Sequence, residues 1–142
     1  MRRTAALLSG LLVAAGLNLM AAPSASAAAE AYGCPGSQID TYHIKDANGS
    51  TWGSIYLYYS SANGGTNCVI NMTKKYAGQR HYMDVKLRHS GDSDKDEGYF
   101  TQYAGPATVT NSNGKCVTLS GWVADPAYNT IVGDQWQNVH CG

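Results

Sequence analysis

The clearest pattern in the chain is an alternation of apolar and polar residues in short segments. In residues 81–89 every second position from Met83 to Leu87 is apolar, which is typical of a β-strand with one buried face. The pattern places Met83, Val85 and Leu87 inward and Tyr82, Asp84, Lys86 and Arg88 outward. Residues 53–59 alternate in the same way, with Ile55, Leu57 and Tyr59 on one face and Ser54, Tyr56 and Tyr58 on the other.

Further short segments of this kind are separated by turn residues. The additional predicted strands are 67–73, 99–103, a short strand that begins near residue 107, 115–119 and 135–140. Asn-Gly sequences predict hairpin turns at 61–66 and 111–114, while 91–98 is predicted to be an acidic loop and 104–106 to break a strand. We therefore predict an all-β domain, a small antiparallel β-sandwich or barrel of about six to eight short strands.

The first residues differ from the rest and resemble a secretory signal peptide. Arg2 and Arg3 precede an apolar run from Ala5 to Met20, and an A-x-A-like cleavage site ends at Ala27. The apolar run is short for a membrane span. We expect residues 1–27 to be a signal peptide and residues 28–142 to be a single secreted β-domain without a membrane segment.

The cysteine count agrees with export. An even number of cysteines in a small exported domain indicates disulfides, and all of them follow residue 27: Cys34, Cys68, Cys116 and Cys141. Three pairings are compatible with the sequence, and we favour Cys34–Cys68 with Cys116–Cys141 because these cysteines are neighbours along the chain. No C-x-x-C or H-x-x-x-H spacing suggests a metal site, and no cofactor is expected.

Charge limits the classes of partner. Without Arg2 and Arg3 the basic count falls from 10 to 8, against 10 acidic residues, so the exported domain is close to neutral. This balance does not favour nucleic acid as a partner, and no polybasic segment suggests an anionic membrane surface.

Aromatic residues are the strongest candidates for ligand contacts. Tyr56, Tyr58 and Tyr82 fall on the predicted outward faces, where exposed rings could stack on sugars or anchor a protein. The competing interpretation is that these faces are covered and the rings stabilise the sheet.

The acidic segment carries two weaker candidates. Asp92, Asp94, Asp96 and Glu97 could form a weak calcium site, although their spacing does not match an EF-hand. Gly91-Asp92-Ser93 is similar to nucleophile motifs of hydrolases, but a catalytic serine needs an oriented base that the spacing does not supply. We predict no catalytic residues.

Several short motifs resemble the secreted spore-associated proteins of filamentous actinobacteria (the spore-associated protein A-like family). They are Ala31-Tyr32-Gly33-Cys34, Gly53-Ser54-Ile55-Tyr56-Leu57-Tyr58-Tyr59, Asn67-Cys68-Val69-Ile70, Tyr103-Ala104-Gly105-Pro106, Gly114-Lys115-Cys116-Val117 and Cys141-Gly142. The resemblance implies an exported protein found with spores or aerial growth, and it implies no catalytic residues.

These observations predict a non-enzymatic secreted protein that associates with the spore or cell surface in a structural or adhesive role. Its partner would be a polysaccharide or protein of that surface. The alternative is a secreted inhibitor or binding module for a soluble protein, with 60–66 or 91–98 as the contact loop.

Overall fold

The computed structural model describes residues 30–142, so the predicted signal peptide at 1–27 lies outside the described residues. Within the described range no helix is long and apolar enough to cross a membrane. The regular elements of this range are strands, apart from a short 3₁₀ helix at Ala62–Gly64. The strands are β1 (Ser37–Lys45), β2 (Thr51–Ser60), β3 (Thr66–Thr73), β4 (His81–His89), β5 (Asp92–Phe100), β6 (Tyr103–Val109), β7 (Val117–Ala124) and β8 (Ile131–Val139).

The strands form two four-stranded antiparallel sheets. The first sheet has the order β1-β2-β3-β6 and the second has the order β5-β4-β7-β8. Buried apolar side chains from both sheets form one cluster, which makes the domain a β-sandwich. The predicted all-β class is confirmed, and the architecture is the sandwich rather than the barrel.

The alternation in β4 corresponds to the observed burial except at Asp84, which is predicted outward but is only 4% exposed. Met83, Val85 and Leu87 are at most 1% exposed and belong to the core shared by the two sheets. Ile55 and Leu57 of β2 lie in the same core. The hairpin predicted at 61–66 joins β2 to β3, with the 3₁₀ helix inside the turn.

The prediction of an acidic loop at 91–98 is wrong, because this segment belongs to β5. Only Ser90 and Gly91 form the turn after β4, and β5 pairs with β4 along its whole length. This acidic segment can form a strand because three of its carboxylates are hydrogen-bonded. They accept hydrogen bonds from the backbone N–H groups of Gly105, Thr108 and Thr110. They therefore bridge β5 of the second sheet to the edge of the first.

Two turn predictions also need correction. Residues 111–114 do not form a hairpin, because β6 and β7 belong to different sheets. This segment crosses between the sheets and donates backbone hydrogen bonds to the carbonyls of Asn63, Gly64 and Gly65 in the β2–β3 turn. Residues 104–106 do not break a strand either. Pro106 is accommodated because β6 is an edge strand, and the pairing with β3 shifts register beside it.

The alternation did not predict β1. This strand is an edge strand in which Ile44 is the sole fully buried side chain, and its pairing with β2 is interrupted between Gln38 and Asp40. A strand with one buried residue and a bulge has no period-two pattern to detect.

Two disulfides each join consecutive cysteines, 34 and 25 residues apart in the sequence. Cys34 is bonded to Cys68 and Cys116 to Cys141, which is the pairing favoured from the sequence. The first bond fastens the segment before β1 onto the outer face of β3, and the second fastens the last residues to the start of β7. By loop-closure entropy, each bond stabilises the folded state by about 3–4 kcal/mol.

Candidate functional site

The predicted tyrosine contacts do not form one surface, because they lie on the outer faces of different sheets. Tyr56 and Tyr58 are in β2 of the first sheet, whereas Tyr82 is in β4 of the second. Tyr58 is only 4% exposed and packs with Cys34, Cys68 and Ile70 in a small apolar cluster. For Tyr58, the interpretation of a covered ring therefore holds.

Tyr56 lies at the margin of that cluster and is half-buried. Its hydroxyl accepts a hydrogen bond from Lys74 Nζ at 2.8 Å, and the same ammonium group lies 5.3 Å from the ring centroid. The first sheet thus carries an outer face that is largely covered by its own N-terminal segment and by Lys74. It leaves little room for a ligand.

Tyr82 belongs to a more open cluster on the second sheet. Its ring centroid is 5.9 Å from that of Tyr99 and 5.5 Å from that of Tyr128, with both pairs edge to face. Tyr99 is 53% exposed and Tyr128 54%, and the Arg80 guanidinium lies 5.6 Å from the Tyr99 centroid. The edge-to-face contacts with Tyr82 hold the rings of Tyr99 and Tyr128 in place, while one side of each of these two rings remains exposed to water.

Charged residues continue the same outer face along β4 and β5. Asp84 lies directly opposite Glu97, and Lys86 lies directly opposite Lys95. Ion pairs run along each strand: Lys95 Nζ is 2.8 Å from Glu97 Oε1, and Lys86 Nζ is 3.9 Å from Asp84 Oδ2. Like charges therefore face each other across the strands, an arrangement that destabilises a sheet unless another group compensates.

Asp84 is a buried carboxylate within this polar face. It is 4% exposed, and its Oδ1 atom has no hydrogen-bond partner. Burial raises the pKa of Asp84, while the neighbouring Lys86 opposes the change. Burial, with the charges of Asp84 and Glu97, also raises the pKa of Tyr82 to about 12.

Trp122 is an exposed ring of the second sheet that lies against the backbone of the neighbouring strand. It lies in β7 directly opposite Gly133 of β8, where a Cβ atom would overlap the indole. Because Gly133 has no side chain, the ring can lie across the backbone of β8 and keep its other side open, and Trp122 is 39% exposed. We call the surface formed by Tyr82, Tyr99, Tyr128 and Trp122 the aromatic face.

Depressions adjoin Trp122 on both sides. One, of about 550 Å³, extends over β4, β5 and β7 and is lined by Lys86, Lys95, Ser120 and other residues. The other, of about 600 Å³, extends toward Trp52 and the β1–β2 turn, and Trp122 lines both. An extended ligand could therefore cross the indole and contact the sheet on either side of it.

The predicted calcium ligands do not converge. Asp92, Asp94 and Asp96 each direct one carboxylate oxygen to a backbone N–H of β6 or the residue after it, at 2.7–3.0 Å. Glu97 instead pairs with Lys95 on the outer face. Between residues 30 and 142 no group of three or more acidic, histidine or cysteine side chains is placed to hold a metal ion. The geometry gives the calcium hypothesis no support.

Ser93, from the hydrolase-like motif, has no base beside it. His89 lines the same shallow depression, but its Nδ1 accepts a hydrogen bond from the Gly91 N–H at 3.0 Å. Its Nε2 therefore carries the proton and donates to the Thr110 carbonyl at 2.6 Å. With both ring nitrogens bound to backbone, His89 cannot accept the Ser93 proton in this arrangement.

Sequence reasoning missed the parts of the aromatic face contributed by Tyr99, Tyr128 and Trp122. Tyr128 lies in the turn before β8. Tyr99 is the first residue of the strand predicted at 99–103, to which the sequence assigned no outward face. One signal was available: an isolated glycine within a strand, Gly133, indicates that another group approaches the backbone closely.

The fold and this face define a class: a two-sheet β-sandwich stabilised by two disulfides, with an open aromatic face on one sheet. Among characterised proteins, the chain is similar to spore-associated protein A of Streptomyces coelicolor, with 38% identity over 79 residues. The alignment covers 54% of this chain, which spans about half (49%) of the length of that relative. The predicted resemblance is thereby confirmed. No protein-family model and no solved structure matches the chain.

Proposed function

We propose that this chain is an exported, non-enzymatic protein that associates with the spore or cell surface in a structural or adhesive role. The observation that carries the proposal is the aromatic face, where Trp122 lies flat on the sheet and Tyr99 and Tyr128 are more than half exposed. Exposed rings fixed on a rigid sheet offer contact area at a small cost in side-chain entropy. The name of the similar Streptomyces protein supports the spore as the place of action.

The architecture suits an extracellular surface. Both disulfides are of the kind that persists in oxidising surroundings, and no cysteine in the described range is left free. The bonds fasten both ends of the described domain, at Cys34 and Cys141, which limits fraying where proteases usually begin. Export is part of the proposal and rests on the signal-like residues 1–27 together with these bonds.

The inhibitor alternative is weakened by the structure. One of its two contact loops, 91–98, is a paired strand. The other, 60–66, accepts backbone hydrogen bonds from 111–113 at residues 63–65 and presents no apolar anchor. A rigid inhibitory loop would need at least one such anchor for a partner's pocket.

The proposal is tested by depletion from solution. Oxidised residues 28–142 are mixed separately with spores, hyphal walls, purified peptidoglycan and chitin, and the protein left in the supernatant is measured after sedimentation. We expect selective loss onto spores or one of the polymers. If the protein stays in solution with all four, the adhesive role is refuted for these surfaces.

A further inference from the structure

The depression over β4, β5 and β7 shares lining residues with three other depressions, and two of these extend it beyond the sheet centre. Trp122 joins it to the depression near Trp52, and Arg88 with Thr118 joins it to a third of about 440 Å³ beside Lys115. We call this connected series the trough. It follows the outer side of the second sheet and continues to the end of the sandwich near Trp52, with the indole of Trp122 at the central junction.

Positive side chains are concentrated along the trough. The chain has eight lysine and arginine residues after residue 27, and six of them line the three depressions. These six are Lys45, Lys75, Lys86, Arg88, Lys95 and Lys115. The domain as a whole has more acidic than basic residues, so the clustering is a local property and not a consequence of net charge.

The acidic residues that line the trough have their carboxylates engaged in hydrogen bonds. Asp94 accepts hydrogen bonds from the N–H groups of Lys95 and Thr108. Asp46 accepts from the indole Nε1 of Trp52 at 2.9 Å and from two backbone N–H groups of its own turn. These bonds direct both carboxylates toward the protein. The lysine and arginine side chains are the positive groups that line the trough, and two of them, Lys95 and Lys86, also pair with Glu97 and Asp84.

The opposed pair Lys86 and Lys95 is a second indication of an anionic ligand. The two residues face each other across β4 and β5, and their acidic partners lie along the strands rather than between them. A negative group placed between the two ammonium groups would relieve this repulsion. Arg88, two residues beyond Lys86, has no ion pair within residues 30–142 and could add a bidentate contact.

From this geometry, and resting on the proposed surface role, we propose that the trough binds an acidic polysaccharide whose sugar rings carry carboxylates. One sugar ring would stack on the open side of Trp122, and neighbouring carboxylates would contact Lys86, Lys95 and Arg88. Hydroxyl and amide groups of Ser120, Thr118 and Gln135 line the same depression and can hydrogen-bond sugar hydroxyls.

A carboxylated sugar fits better than a nucleic acid. The trough holds a single flat open ring, whereas single-stranded nucleic acids are bound by a series of stacked rings. In a polymer of uronic acids, by contrast, each sugar ring carries its own carboxylate, which suits positive side chains that follow one stacking ring along the trough, from Lys86 opposite Ser120 to Arg88 opposite Thr118.

The test uses soluble polygalacturonate and the same polymer with its carboxylates methyl-esterified, at two salt concentrations. We expect residues 28–142 to bind the acid form at least about 10-fold more tightly than the ester, and more weakly at high salt. Equal binding to both forms, or tighter binding to single-stranded DNA of similar length, would overturn the proposal.

Variants locate the site. We expect Trp122→Leu, which keeps an apolar side chain but removes the flat ring, to weaken polygalacturonate binding by about 10-fold, and Arg88→Gln by about 3-fold to 10-fold. Lys74→Gln is the matched control and should leave binding unchanged, because Lys74 follows β3 and donates to the Tyr56 hydroxyl on the outer face of the first sheet, outside the trough. Circular dichroism checks that each variant is folded.

The two proposals fail separately. If spores or walls deplete the protein while polygalacturonate does not bind, the assignment of an acidic polysaccharide is wrong and the surface role stands. If Lys74→Gln weakens binding as much as Arg88→Gln, the ligand recognises overall charge and the trough is not its site.

Discussion

The acidic residues of β5 lead to a sharp prediction about stability. Asp94 and Asp96 accept backbone hydrogen bonds from Thr108 at 2.8 Å and Gly105 at 2.7 Å, and so connect the edges of the two sheets. The perturbation is the double substitution Asp94→Ala with Asp96→Ala. It removes both carboxylates without touching the apolar core.

The magnitude follows from the two bonds. A hydrogen bond to a charged group contributes about 1.5–3 kcal/mol when shielded, but Asp94 is exposed and Asp96 only half-buried, so about 1–1.5 kcal/mol each is appropriate. The double variant should lose about 2–3 kcal/mol of unfolding free energy. At about 4 °C per kcal/mol for a domain of this size, Tm falls by about 10 °C.

The assay is equilibrium urea unfolding of the oxidised protein, followed by circular dichroism. Asp94→Asn with Asp96→Asn keeps an acceptor oxygen at each position. Its loss of unfolding free energy should be less than about half of that of the alanine double variant. Asp134→Ala is the matched control, because this exposed strand aspartate contacts only the N–H of its own neighbour. If the alanine double variant is as stable as the control, these carboxylates do not join the sheets, and our explanation of the acidic strand is wrong.

Three further predictions concern the core, the buried carboxylate and the disulfides. Asn71 is fully buried and its Nδ2 donates to the carbonyls of Asp84 and Trp122 in the opposite sheet, so Asn71→Leu should cost about 2–4 kcal/mol in urea unfolding. Because burial raises the pKa of Asp84 in the folded state, the folded protein binds the proton more tightly and loses stability as pH rises through the carboxyl range. Asp84→Asn should therefore be more stable than the parent at pH 7, and this difference should vanish near pH 3; a difference independent of pH would contradict the assignment. Replacing Cys116 and Cys141 by alanine should lower the unfolding free energy by about 3.5 kcal/mol, the value for a loop of 25 residues, and a loss below about 1 kcal/mol would show that the last residues contribute little.

The sequence predicted the parts of the fold in which one face is apolar and the other polar. β4 extends from His81 to His89, the same bounds as its predicted segment, because it is a central strand with a buried inner face. β1 lacks this contrast, since it is an edge strand with one fully buried residue. For β5, the acidic composition suggested a loop. Its carboxylates accept hydrogen bonds from backbone N–H groups in and just after β6, and only the folded structure shows that β6 lies beside them.

The candidate site was less accessible to sequence reasoning than the fold. Period-two alternation identifies Tyr82 as outward-facing, but it cannot show that Tyr58 is covered by the segment carrying Cys34. Trp122, Tyr99 and Tyr128 come from two strands and a turn that meet only when the second sheet forms. A ligand surface assembled from separate strands depends on their register, which the alternation within each strand does not encode.

The central claim is that the outer face of the second sheet mediates surface association, and one comparison tests it most directly. Trp122→Leu and Tyr32→Leu each remove an exposed aromatic ring, 39% and 45% exposed. Trp122 lies on the second sheet, whereas Tyr32 precedes β1 and packs against Tyr103 of the first sheet. The fraction of each variant that sediments with spores is measured beside the parent. We predict that Trp122→Leu loses most of the bound fraction and Tyr32→Leu keeps it. If both variants sediment with spores to the same extent, or if only Tyr32→Leu loses its bound fraction, the outer face of the second sheet does not mediate surface association.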